Sequence, residues 1–191
     1  FTLALSHFAT APQNFVYADV DGNIGYYGAG KVPIRKKGSG IFPVPGSTGE
    51  YDWEGYIPFE DMPHLYNPAG GMIVTANAQP HGVDYPYPMP GIYAPEYRSR
   101  RIKDMLESKD KLTLDDMADF QFDQKSYLVP KFLKYLLPVI PDEYREIREL
   151  LKAWDHELDQ NGVEGSIYHE ALETFLRLIW TDEMGVELAE K

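Results

Sequence analysis

The sequence predicts an α+β chain: strands and loops in residues 1–93, and a mainly helical section in residues 94–191. Three observations carry this. Short apolar or aromatic runs at Phe15–Ala18, Ile24–Tyr27 and Met72–Ala76 are bounded by Gly, Pro, Asn and Asp, which is the signature of strands. Pro and Gly are dense through the first half, as in a loop-rich domain. After Tyr93 the texture changes, and apolar residues recur at the three-to-four spacing of helices.

Residues 1–13 read as the tail of a helix, or a loop, entering the first strand. Phe15–Ala18 and Ile24–Tyr27 form a hairpin across Asp19-Val20-Asp21-Gly22-Asn23, where Gly22 supplies a positive φ. Two mimics sit here. Asp19-x-Asp21-Gly22-Asn23 starts like a calcium loop, but Gly30 stands where the closing Glu belongs. Gly25–Lys31 looks like a phosphate loop, but Val32 and then Pro33 follow in place of Ser or Thr and a helix.

Residues 36–70 are expected to be irregular, punctuated by five prolines, with Trp53, Tyr56, Phe59 and Tyr66 as packing anchors. This loop reads either as a wall of a cleft or as an aromatic-pinned structural segment. The turn Asn67–Gly71 then feeds the third strand, which ends on Asn77. Pro86–Gly91 (PYPMPG) is a rigid connector, with polyproline-type ligand function as an alternative.

In the helical section, Ala94-Pro95-Glu96 starts a helix with Pro in its first turn. Ile102, Met105 and Leu106 share one face of it. Thr113-Leu114-Asp115-Asp116 is a capped start to a second helix. A third covers Ser126–Leu137. Pro141 opens a fourth, with Tyr144, Ile147, Leu150, Leu151 and Trp154 at helical spacing. Asp159–Gly165 breaks the chain. The fifth helix is expected to turn Ile167, Ala171, Leu172, Phe175, Leu176 and Ile179 inward.

Charge and composition narrow the function. The 191 residues carry 30 Asp and Glu against 18 Lys and Arg, a net charge of −12, so neither nucleic acid nor an anionic membrane is an expected partner. The one basic cluster, Lys31–Lys37, reads as a solvated loop. There is no cysteine, which excludes disulfides and thiolate metal sites. No apolar run approaches the length that spans a bilayer. The first residue is Phe1, which suits a processed product or a piece of a larger protein.

Few residues offer chemistry. An Asn at the end of a buried strand can aim an amide N–H into a pocket, as an oxyanion hole requires. Asn77 fits that role, or, as the local pattern alone favours, the role of a turn cap before Pro80. Ser6 and Ser166 lie in no G-x-S-x-G elbow. His156, Glu157 and Asp159 form no H-E-x-x-H motif. His64, His81 and His169 have no partner at ligand spacing.

The order and spacing of Asn14–Arg35 (NFVYADVDGNIGYYGAGKVPIR), Pro43–Pro63 (PVPGSTGEYDWEGYIPFEDMP), Asn67–Gln79 (NPAGGMIVTANAQ) and Tyr97–Leu106 (YRSRRIKDML) resemble the penicillin acylase (penicillin amidase) family of N-terminal nucleophile hydrolases. The resemblance continues more weakly through Trp154-Asp155 to the end, and places the chain inside the family's β chain. It implies a four-layer αββα sandwich. It also implies an amidohydrolase that attacks N-acylated amines, such as β-lactam side chains or N-acyl homoserine lactones, through an acyl-enzyme on an N-terminal Ser.

That Ser is absent here, so these residues alone are expected to be inactive, completed by the remainder of the α and β chains. By the same resemblance Asn77 is the oxyanion-hole residue and Arg98 its active-site support, while Ala78 replaces a second Asn common in the family. No cofactor serves catalysis. A structural calcium is possible in the whole protein but not expected of this segment, which has Asp84 and Tyr87–Met89 near the family's later ligand. The location implied is periplasmic or secreted. The competing reading is a non-catalytic acidic binding module that uses Pro86–Gly91 and the aromatic loop as its surface.

Overall fold

The computed structural model describes residues 1–189. It divides the chain into two compact units, Phe1–Ser99 and Arg100–Lys191. The first begins with a single helical turn, α1 (Thr2–Leu5). Strands β1 (Gln13–Ala18) and β2 (Ile24–Ala29) then pair antiparallel, with Phe15 opposite Tyr27 and Val16 opposite Tyr26. The Asp19 side chain builds the turn. Its Oδ1 accepts the backbone N–H of Asp21 and Asn23, and its Oδ2 accepts the Tyr17 hydroxyl and the Asn23 amide. All four bonds favour the carboxylate, and the Asn23 amide leads in drawing its pKa down to about 2. The apparent calcium loop is thus a turn whose first carboxylate is already saturated.

Strand β2 lies at the centre of the sheet and is its most buried strand. The residues that mimic a phosphate loop therefore lie largely in a strand, with no helix after them. Just past β2, Gly30 has φ +144°, and a Cβ there would sit 2.5 Å from Pro12 Cα, so no side chain fits this crossing. Strands β3 (Pro33–Arg35) and β4 (Trp53–Tyr56) form a separate two-stranded sheet, with a bulge between Ile34 and Arg35. Strand β5 (His64–Tyr66) returns to pair with the free edge of β2, giving the order β1-β2-β5.

The first core is Leu5, Tyr27, Ala29, Val32, Ile57 and Met62. Phe59, on a 3-10 turn (Phe59–Asp61), stacks on Tyr27 at 4.4 Å and accepts its hydroxyl at 2.6 Å.

Two expectations for this half are corrected. Residues 36–70 are not wholly irregular, since they contain β4, the 3-10 turn and β5. Of the four proposed anchors only Phe59 packs into the core; Trp53, Tyr56 and Tyr66 are exposed. The third strand does not form either. Met72–Thr75 is half-buried but sits in no ladder, and it runs into a turn at Ala76 and Asn77. A β-branched run becomes a strand only where a neighbour offers its N–H and C=O groups, and no described strand does so here.

The second half is helical. Helix α2 (Tyr97–Leu106) is followed by α3 (Leu114–Gln121). Thr113 caps α3 reciprocally: its Oγ1 accepts the Asp116 N–H at 3.1 Å, and Asp116 Oδ2 accepts the Thr113 N–H at 2.8 Å. Arg101 of α2 donates through Nε to Asp123 Oδ2 at 2.9 Å. Helix α4 (Val129–Leu136), a 3-10 turn at Asp142–Tyr144, α5 (Arg145–Ala153), α6 (Val163–Met184) and the short α7 (Val186–Ala189) complete the described chain.

The second core joins Val129 and Leu133 of α4, Leu151 of α5, Trp154 just after it, and Tyr168 of α6. Trp154 Nε1 donates to the Glu157 carbonyl at 3.0 Å, which places the ring against this core. The expectation for α6 holds only for its first turns. Ile167 and Leu172 pack on the core, whereas Phe175, Leu176 and Ile179 are exposed. No described helix is long and apolar enough to cross a membrane.

Candidate active site

Asn77 lies in a turn, not at the end of a buried strand. Ala78 N–H donates back to the Thr75 carbonyl at 3.0 Å, and the two residues between, Ala76 (φ +48°) and Asn77 (φ +60°), are both left-handed. An L-residue in that region costs roughly 1–2 kcal/mol, more readily borne by Asn than by Ala. Two ties hold the turn in this state. The Asn77 carbonyl accepts the Ala94 N–H at 2.9 Å. One Arg98 Nη donates both to the Ala76 carbonyl at 2.9 Å and to Asn77 Oδ1 at 2.8 Å.

The Arg98 contact fixes the chemistry of Asn77. A guanidinium has only donors, so it accepts just one orientation of the amide, with Oδ1 toward Arg98. The Nδ2 hydrogens then point elsewhere, and among the described residues they meet no acceptor. Arg98 sits in the first turn of α2 and reaches back across 21 residues of chain to do this. Its charge is partnered here by neutral oxygens and by no carboxylate.

Asn77 and Ala78 edge a cavity of about 440 Å³ in the first unit. Its other walls come from β1 and β2 (Asn14, Tyr26), from the ends of β3 (Lys31, Arg35), and from the 89–93 segment (Met89, Tyr93). Tyr26 donates to Asn14 Oδ1 at 2.7 Å, and burial, then the neighbouring Tyr93, pushes its pKa up to about 12, so it stays a neutral hydroxyl. Met89 also packs on the core, so the Pro86–Gly91 connector is part of the cavity wall as well as a spacer. Tyr87 donates to Asp61 Oδ2 at 2.7 Å and locks that segment to the 3-10 turn.

Calcium takes six to eight oxygen ligands. Among the described residues no three His, Asp or Glu side chains are grouped to share an ion, and the carboxylate nearest Tyr87, Asp61, is bonded to it. Ser6 Oγ donates to the Leu3 carbonyl at 2.8 Å, a helix-end bond of a structural serine.

Residues 1–191 match the penicillin amidase family. The chain belongs to that family. It is 35% identical over 182 residues to the penicillin acylase 2 proenzyme of Pseudomonas sp. (strain SE83), covering 93% of this chain and 23% of that protein. It is 30% identical over 190 residues to the acyl-homoserine lactone acylase QuiP of Pseudomonas fluorescens (strain Pf0-1), covering 90% of this chain and 23% of that protein.

Among solved structures, a thermostable penicillin G acylase from Alcaligenes faecalis superposes with a TM-score of 0.64 at 26% identity, covering 82% of this chain and 29% of that one. The α+β class and the N-terminal nucleophile hydrolase fold follow from this match. The chain spans about a quarter of the length of these curated relatives.

Asn77 and Arg98, chosen by resemblance, are thus brought into direct contact. Asn14, Tyr26 and Arg35 escaped sequence reasoning. Arg35 could have been found, because it belongs to a basic cluster in an acidic chain. That cluster is not one solvated loop: Lys36 and Lys37 pair with Asp52 and Glu50 at the surface, but Lys31 and Arg35 line the cavity.

Proposed function

We propose that this chain forms one wall of the active centre of an amidohydrolase that removes an acyl group from an amide nitrogen. Substrates of that class include β-lactam side chains and N-acyl homoserine lactones. The nucleophile, a Ser at the start of a chain, lies outside these residues. A terminal amine titrates near pH 7.7–8.0, roughly the operating pH, so it serves as its own base. Attack on the amide carbonyl places negative charge on its oxygen. Asn77 Nδ2 donates to that oxygen, and Arg98 keeps the donor facing it. The remainder of the α and β chains supplies the nucleophile and the rest of the acyl pocket.

One observation carries this reading: the Arg98 guanidinium holds Asn77 Oδ1 and leaves Nδ2 unpaired at the rim of the cavity. A turn cap would spend its amide on the local backbone. The left-handed pair Ala76-Asn77 supports the same reading, since strain of this kind concentrates at functional sites.

The test is Asn77→Ala in the mature full-length enzyme, assayed by amine release from N-acyl amides. A donor used in the transition state predicts a fall in kcat of roughly 10²–10³ with little change in KM. Asn77→Asp has the same shape but offers only acceptors at neutral pH, and should be at least as damaging. A wild-type kcat in both variants would leave Asn77 as a turn residue only.

A further inference from the structure

The cavity differs in charge from the chain that forms it. The protein is acidic, with a net charge of −12, yet no Asp or Glu lines this cavity, while Lys31 and Arg35 do. Neither cation has a carboxylate partner among the described residues. Lys31 Nζ lies 5.6 Å from the Tyr56 ring and the Arg35 guanidinium 5.8 Å from the Trp53 ring. A ring face holds a cation in place without cancelling its charge. This also accounts for the exposure of Trp53 and Tyr56: their rings carry the two cations and stay out of the core.

Arg35 is positioned closely. Gly40 (φ +77°) packs on its guanidinium, where a Cβ would lie 2.6 Å from Nε. Among the described residues its one hydrogen bond is a long one, Nη1 to the Pro33 carbonyl at 3.5 Å. A planar, half-buried guanidinium at a cavity wall, with no carboxylate partner among the described residues, is suited to a carboxylate, which it can take through two parallel bonds.

The geometry points to Arg35 as the receptor for a carboxylate carried by the amide substrate, with Lys31 as a second, weaker attraction at the rim. The assignment rests on the amidase reading and deepens it: the preferred substrates are N-acyl amines that bear an acid, over neutral ones of the same shape.

A matched pair of substrates tests this in the mature full-length enzyme. An N-acyl homoserine lactone is neutral, and its ring-opened N-acyl homoserine has the same acyl group plus a carboxylate. The readout is the ratio of kcat/KM for the acid to that for the lactone. In wild type the ratio exceeds one and shrinks with added salt. Arg35→Met lowers it about tenfold or more through KM, the loss expected of a charge-assisted pair. Arg35→Lys retains part of the preference, because it keeps the charge and loses the fork. Lys31→Met lowers the ratio less, and Lys37→Gln, outside the cavity, leaves it unchanged.

Residual turnover of the lactone reports that a variant is folded; if Arg35→Met abolishes both activities, Lys31→Met decides by the same ratio. An unchanged ratio in the deciding variant overturns the assignment and leaves the amidase reading standing. A wild-type enzyme that hydrolyses neither substrate nor any other N-acyl amine overturns both.

Discussion

Arg98 is the residue on which the site's geometry turns, and its role separates from that of Asn77 by experiment. It bonds the Ala76 carbonyl and Asn77 Oδ1 with the same nitrogen, so it sets both the turn and the amide. Arg98→Met leaves Asn77 present but free to rotate. The expected result is a fall in kcat of about tenfold or more, smaller than that of Asn77→Ala, with KM nearly constant. If Arg98 acts only through Asn77, the double variant Asn77→Ala/Arg98→Met is no slower than Asn77→Ala alone. Additive losses would instead give Arg98 a contact of its own with the reacting groups. Arg98→Lys should recover part of the activity, since one donor can still meet Oδ1.

At the level of elements, the cap of α3 makes stability depend on pH. Asp116 is buried, and its carboxylate accepts Lys109 Nζ together with the Thr113 N–H and hydroxyl. These bonds, Lys109 first, hold its pKa at about 2. An unfolded Asp titrates near 3.9, roughly two units higher. The depressed folded value means that the cap stabilises fully above the unfolded pKa and loses its effect as pH falls from about 4 to 2. Asp116→Asn should therefore lower the thermal midpoint near neutrality, with the gap to wild type narrowing across that window. A gap independent of pH would show that packing, not charge, is what the substitution removes.

The same cap shows why some elements were legible in the sequence. Thr-x-x-Asp before a short apolar repeat is a local signal, and so are the Asp19–Asn23 turn and the Gly162 break before α6. The Met72–Ala76 run forms no strand, because strand formation depends on a partner that local pattern does not reveal. The 36–70 region hid two strands because β4 and β5 pair with β3 and β2, partners far from them along the chain. In α6, helical spacing gave the correct element but not the burial of its later turns, since periodicity states which residues share a face and not what that face meets. Asn77 and Arg98 follow from a resemblance between long motifs; their mutual contact, and the place of Arg35 at the cavity wall, depend on the three-dimensional structure.

The molecule as a whole exposes apolar surface in both units. On α6, Phe175, Leu178 and Trp180 are 48%, 57% and 53% exposed, and Ser166, Ile167 and Ala171 join Phe175 and Leu178 around an open groove. In the sheet, Val16 and Leu65 flank Tyr26 on one face and are 58% and 49% exposed. Soluble monomers seldom leave contiguous apolar patches of more than a few hundred Å² in water.

Two outcomes follow for the 191 residues produced on their own. They should bind a hydrophobic dye and self-associate as concentration rises, more so with added sulfate, which strengthens apolar burial. On the proposed mechanism they should also release no amine from any N-acyl substrate, because the proposed nucleophile lies outside them. Light scattering and dye fluorescence check the first outcome, and a sensitive amine assay checks the second. A monodisperse, dye-silent monomer would identify these faces as ordinary solvent surface. Turnover by that monomer would place a nucleophile within the 191 residues and remove the N-terminal Ser from the mechanism.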